Sequence, residues 1–244
     1  MNTPLQQLLE HPALWQASRG RELKPSVAAS VIATGHPPLD TRLHDGGWPQ
    51  GATTELLGPI DAGAFRLLLP TLRQLQQRPW LVFLAPPYMP NGPALTAAGI
   101  NLAQLLIIKP RNLRELLWCA NQTLSSGSCA AVVTWANRLP IGNRDLRRLQ
   151  QAAHQGNSWH VLLRSEQFAQ EASPSALRIV YNSKPTGDLQ LQIIKQRGGW
   201  SGQSLQLSLT PELQQRCYIP PQQLPVHLAG MPSLAARNRR YPHR

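Results

Sequence analysis

Between residues 80 and 164, four short apolar runs alternate with segments of helical period. That alternation restricts the fold more than any other feature of the chain. "WLVFLA", "LLIIKP", "CAAVVTW" and "WHVLLR" are apolar runs suited to strands buried on both faces. "GPALTAAGI" reads as a helix after the first. "NLRELLWCANQTLSSG" is a stronger one. Asn112 is placed to cap it, Glu115 takes the capping-box position, Leu113, Leu116, Leu117, Ala120 and Leu124 form one stripe, and Gly127 marks the stop. "NRDLRRLQQAAHQG" repeats the pattern, with Asn143 as cap and Leu146, Leu149 and Ala153 inward. Strand and helix in alternation imply an α/β fold with a mainly parallel sheet covered by helices.

Upstream, "VIATG" and "TTELLG" are strand candidates split by the Gly/Pro-rich "HDGGWPQG". "AFRLLLPTLRQLQQ" is helical by period, with Phe65, Leu68, Leu69, Leu72 and Leu75 on one face. Pro70 should kink it or sit near its first turn. After about residue 175 the period changes to two. "ALRIVY", "DLQLQII" and "QSLQLSL" read as half-exposed antiparallel strands, with "KQRGGWSG" turning between the last two. Three regions follow: a helical arm and basic linker over 1–30, a core over 31–212, and a Pro-rich basic tail over 213–244.

The charge balance points to a polyanionic partner. Twenty-four Lys plus Arg, mostly Arg, face twelve Asp plus Glu, a formal net charge of +12. Forked guanidinium donors suit phosphates and carboxylates, so DNA is the favoured partner and an acidic protein the alternative. "NRLPIGNRDLRRLQQ" sets Arg144, Arg147, Arg148 and Gln151 opposite a Leu stripe, with Arg138 just before, and the tail carries Arg237, Arg239, Arg240 and Arg244. These eight arginines are the partner or DNA-binding candidates. The alternative for the helix is a solvated face. Trp80, Trp118 and Trp135 fall in expected core elements, whereas Trp48 and Trp200 fall in Gly-rich turns and could stack on bases, anchor a partner or pack over the turn. The seven histidines show no ligand spacing, Cys119, Cys129 and Cys217 form no CxxC pair, and Ser173 and Ser175 lie near no nucleophile turn. No metal, cofactor or nucleophilic catalysis is expected. No apolar run approaches the roughly 18 residues of a membrane span, and the N-terminal residues lack a signal-peptide pattern, so a cytoplasmic protein is expected.

Gly58 and Gly63 have the spacing of a phosphate-binding P-loop, but Ala64 stands where the lysine belongs and Phe65 where the hydroxyl belongs. Residues 32–63 resemble the RecA-type recombinase core around this loop. The matching residues are Thr34-Gly35, Leu39-Asp40, Gly46-Gly47, Pro49, Gly51, Glu55 and Gly58-Pro59. The resemblance covers roughly 30–210 and implies a RecA-like fold with a degenerate P-loop. A Walker B aspartate is implied near Thr134, yet "CAAVVTWANRLP" holds no carboxylate. The glutamate implied after "WLVFLA" is replaced by Pro86-Pro87. A P-loop lysine neutralises phosphates and its hydroxyl holds magnesium. Their loss implies a chain that is not an ATPase, with the glycines serving a tight turn.

"HPALWQASRG", "ATGHPPLD", "GGWPQGATTELL", "LAPPYMPNGPALTAAGI" and "ASPSALRI" together resemble the ImuA family of damage-induced translesion-synthesis accessory proteins. "LLLPTLRQLQQRPWLVFLAP" and "AAHQGNSWHVLLR" also resemble SulA, the SOS inhibitor of cell division. The ImuA resemblance implies a non-catalytic adaptor, nucleoid-associated after DNA damage, whose partners are an ImuB-like inactive Y-family polymerase homologue, RecA and an error-prone replicative-type DNA polymerase. The SulA resemblance implies instead a protein that caps the tubulin-like division protein FtsZ. A weak nucleotide-binding enzyme is the third alternative.

Overall fold

The computed structural model describes residues 31–59, 62–75, 80–184 and 187–209. The expected arm over 1–30 and the tail with Arg237, Arg239, Arg240 and Arg244 lie outside them. The chain folds around an eight-stranded sheet in the order β10-β9-β8-β3-β7-β6-β4-β5. The strands are β3 (Thr53–Leu57), β4 (Trp80–Leu84), β5 (Leu105–Ile108), β6 (Cys129–Asn137), β7 (Trp159–Arg164), β8 (Leu177–Ser183), β9 (Leu189–Gln196) and β10 (Gln203–Leu207). A small antiparallel pair, β1 (Val31–Ile32) with β2 (Trp48–Pro49), stands apart. β5, β4, β6, β7, β3 and β8 run parallel, whereas β9 pairs antiparallel with β8 and β10 pairs antiparallel with β9. The first of the three alternating strands, β8, therefore pairs in parallel with β3 on one side and antiparallel with β9 on the other. Its Leu177, Ile179 and Tyr181 are buried in the α2-side core, and Arg178, on the opposite face, is buried against Glu55 and residues 168–171.

The helices are α1 (Pro37–Asp40), α2 (Ala62–Gln74), α3 (Gly92–Ala97), α4 (Leu113–Ser125) and α5 (Asn143–Gln155). Two 3-10 turns join them, η1 (Leu102–Gln104) and η2 (Glu166–Gln170). One core lies on the α2 side, built from Leu56, Leu67, Leu68, Leu72, Phe83, Val133, Val161 and Ile179. The other lies under α4 and α5, built from Val82, Leu116, Ala120, Leu124, Val132, Leu146, Leu149 and Leu162. Residues on β4 and β6 alternate between the two, as the pleat requires.

Local signals explain most boundaries. The Asn112 side chain accepts from Glu115 N at 2.9 Å, and Glu115 Oε2 accepts from Arg111 N at 2.8 Å. The box thus closes one residue further out than the Asn112 amide. Gly127, at φ +72, ends the turn after α4. α5 starts one residue earlier than Asn143 suggests. Gly142 is its N-cap, and no side chain makes the cap hydrogen bond. Pro70 sits in the body of α2 rather than its first turn. It packs against Gly35, where a Cβ would come within 2.4 Å of the proline's own. Leu67, outside the expected face, is fully buried.

Candidate functional site

The loop between β3 and α2 is the position to which the sequence assigns a lost phosphate site. Gly58 is retained for packing. Its amide donates to Arg164 O at 3.0 Å, and a Cβ there would lie 2.4 Å from Tyr181 O and within 3 Å of the tyrosine ring. The Tyr181 hydroxyl donates to Pro59 O, fastening the loop to β8. The expected tight turn at Gly58 is thus a close approach to a neighbouring strand.

At the first turn of α2, Ala64 is 2% exposed and joins the core. Phe65 meets Phe83 edge-on at 5.4 Å between ring centroids and Trp135 at 6.2 Å, and Phe83 meets Trp135 at 5.6 Å. Three aromatic rings, from α2, β4 and β6, therefore close together. A helix N-terminus that held phosphate would present amides and a cation; in the first turn of this helix the two side chains at the lysine and hydroxyl positions are the apolar Ala64 and Phe65. Thr134, where the resemblance implies an aspartate, is fully buried, and its hydroxyl is 3.2 Å from His160 Nε2. The other ring nitrogen, Nδ1, lies 3.1 Å from Thr53 Oγ1. Burial pulls the His160 pKa from 6.5 to about 3, so the imidazole is neutral. Among the described residues, no cluster of His, Cys, Asp and Glu could hold a metal ion.

The residues quoted for the RecA resemblance hold the first strand pair in place. Thr34 N donates to Asp40 Oδ1 at 3.0 Å, and Leu39 is fully buried. Trp48, a candidate for base stacking, is also fully buried; it stacks on Trp159 at 5.4 Å and donates Nε1–H to Thr71 Oγ1 at 2.9 Å. It serves the core and cannot meet a partner. Trp135 packs as expected. Trp80 and Trp118 do not: they are 41% and 63% exposed.

One cluster was signalled in the sequence only by Glu55, which matches the RecA-type core. Glu55 is fully buried in β3, with Arg164 and Arg178 almost fully buried on the strands either side. Glu55 Oε2 lies 3.5 Å from Arg164 Nη1 and 3.5 Å from Arg178 Nε. Oε1 accepts from Ser175 Oγ at 2.6 Å and from Ser173 Oγ. Arg178 donates to the carbonyls of Phe168 at 2.7 Å, Glu171 at 2.8 Å and Ala169 at 3.3 Å. Arg164 stacks over the Phe168 ring at 3.9 Å, and Lys195 Nζ donates to Ser173 O at 2.5 Å. Burial lowers the Arg164 pKa, while the Glu55 carboxylate opposes the shift. The cluster ties residues 165–176 down as a fixed strap over β3 and β8. Charges scattered across four segments show no motif, and only pairing β3 with β7 and β8 brings them together. Ser173 and Ser175, unpromising as nucleophiles, are ligands of a buried carboxylate.

The arginine candidates of the 138–151 stretch are placed as expected. Arg138, Arg144, Arg147, Arg148 and Gln151 are exposed, while Leu146, Leu149, Ala152 and Ala153 face the core. Arg148 Nη1 lies 3.9 Å from Asp145 Oδ1.

Residues 61–160 match the family of the cell division inhibitor SulA. That span runs from α2 to the first two residues of β7 and takes in the aromatic contact and helices α4 and α5. The chain is also 29% identical over 111 residues to protein RecA of Lactobacillus delbrueckii subsp. bulgaricus, covering 45% of this chain and 34% of that protein. Protein RecA of Streptococcus pneumoniae is 30% identical over 104 residues, 42% of this chain and 27% of that protein. The similarity is thus to SulA over residues 61–160 and, distantly, to RecA. The chain spans about a third or less of the length of the RecA proteins it matches. No helix among the described residues is long and apolar enough to cross a membrane.

Proposed function

We propose that this protein is a non-catalytic, RecA-like accessory protein of the DNA-damage response that acts by binding partners. The contact of Phe65, Phe83 and Trp135 at the head of α2 carries the reading. It sets apolar rings where magnesium and phosphate would need cations and hydroxyls; no carboxylate stands in "CAAVVTWANRLP" where the resemblance implies a Walker B aspartate, and Pro86-Pro87 replace the glutamate it implies for activating water. The finer reading is an ImuA-type adaptor of mutagenic translesion synthesis. Its support is the set of segments quoted above, chiefly "ATGHPPLD", "GGWPQGATTELL" and "LAPPYMPNGPALTAAGI". In this role the chain joins an ImuB-like polymerase homologue to RecA and to an error-prone replicative-type polymerase. The deciding experiment is co-purification of the full chain with the product of a neighbouring polymerase-like gene, followed by a cell assay of damage-induced mutagenesis. Stable complex formation and loss of mutagenesis on deletion are expected. No complex and unchanged mutagenesis would refute the adaptor reading.

A second reading is favoured by the SulA match over residues 61–160. Here the chain would cap the tubulin-like division protein. Polymerisation of that protein, followed by light scattering with added chain, separates the two. Suppression at stoichiometric amounts supports the division inhibitor, and normal polymerisation supports the adaptor.

A further inference from the structure

We infer that the outward face of the α4–α5 pair is a docking surface for an acidic segment of another protein, anchored by an apolar side chain at Trp118. The two helices pack side by side over the sheet. On α4, Arg114 and Trp118 lie four residues apart, hence on one face, and both are exposed. On α5, Arg144, Arg147 and Arg148 face outward. Lys109 and Arg111, in the segment before α4, and Arg138, directly after β6, are exposed too. Two carboxylates accompany them. Glu115 is engaged by Arg111 at 3.2 Å and by the cap of α4, and half-buried Asp145 lies beside Arg148. The surface is therefore strongly cationic around one large, exposed indole. Tryptophan and arginine together are the residues most enriched among binding hot spots.

Charge decides the occupant. Residues 210–244 hold one acidic side chain, Glu212, against five arginines, and residues 1–30 hold two acids against three bases. Neither segment complements a cationic face. A second copy, with the same net charge of +12, would be repelled. Single-stranded nucleic acid prefers a track of aromatics for successive bases, and Trp118 is the single Trp, Tyr or Phe on these two helices. Asp145 also interrupts the arginine row. An acidic peptide with one apolar anchor satisfies both features. The inference rests on the partner-binding reading above, but not on which partner is correct.

The test uses the full chain and fluorescence anisotropy with three probes: a labelled 16-residue Asp/Glu peptide with a central Phe-Leu pair, the same peptide with Ser-Ser at its centre, and oligothymidylate of matched charge. The Phe-Leu peptide should bind tightest. Trp118→Ala should weaken it about tenfold or more and leave the Ser-Ser peptide nearly unchanged. The double variant Arg144→Glu, Arg147→Glu should weaken both peptides. Trp200→Ala, which removes the 86% exposed indole of the β9–β10 turn, should change neither. Equal binding of the two peptides, no effect of Trp118→Ala, no peptide binding, or tighter binding of oligothymidylate would each overturn the inference. ATP turnover or failure of the polymerase complex would refute the proposed function while leaving these affinities intact.

Discussion

His160 shows how a single buried residue sets the response to acid. Its two nitrogens face the hydroxyls of Thr53 and Thr134 on the flanking strands, and no carboxylate is near to balance a charge. Burial therefore holds its pKa at about 3, against 6.5 when exposed. Between those values the unfolded chain binds a proton that the folded chain refuses. The stability this neutral ring allows is complete above pH 6.5 and declines as pH falls toward 3. One such proton gives a slope of about 1.4 kcal/mol per pH unit. His160→Gln keeps hydrogen-bonding capacity without the titration. Urea unfolding of both proteins at pH 7, 6 and 5 should show a slope shallower by about that amount in the variant. Parallel slopes would mean that the ring is charged or hydrated in the fold.

At the scale of elements, the strap over residues 165–176 is the segment whose order depends on few groups. It contains one short 3-10 turn, and its inward contacts run through Arg178, Arg164, Glu55 and Lys195. Arg178→Met keeps an apolar stem but removes the donors to Phe168, Ala169 and Glu171. It also leaves Glu55 with one guanidinium, and removing one partner of a buried ionic group costs about 3–5 kcal/mol. A glutamate-specific protease should cut the native strap slowly at Glu166 and Glu171, and the variant at least tenfold faster. Equal rates would show that the strap is held by its apolar residue Phe168 alone. The elements themselves were legible. β4, β6 and β7 announced themselves as apolar runs, and α4 and α5 by caps and stripes within a residue of their true limits. The ends of stripes were less legible. Leu117 falls on the expected apolar face of α4 yet is only half-buried, whereas Leu116 is 1% exposed. A period of 3.6 gives a direction, not the width of the neighbour that covers it. Trp118 was misplaced for the same reason: residue type suggested a core position, and the helix turned it outward. The partners of Glu55 were illegible because they are distant in the chain and meet it only through strand order.

At the scale of the molecule, the first turn of α2 is tied into the core through Ala64 and Phe65, so on the non-catalytic reading proposed above phosphate chemistry would not be gained by replacing these two residues. Ala64→Lys would place an ammonium at a site 2% exposed inside an apolar cluster, where a charge without a partner is strongly unfavourable. Phe65→Thr would remove the half-buried ring that meets Phe83 and Trp135, at a cost below the roughly 3–5 kcal/mol of a fully buried aromatic. The double variant Ala64→Lys, Phe65→Thr should melt well below the native protein and show no magnesium-dependent ATP hydrolysis. The native chain should show none either, and its melting temperature should not change when millimolar MgATP is added, because a ligand that binds the folded state raises it. A melting temperature that rises with MgATP in either protein, or phosphate release abolished by Gly63→Val, would mean that the aromatic contact opens to admit a nucleotide. The chain would then be a weak ATPase rather than a binding scaffold.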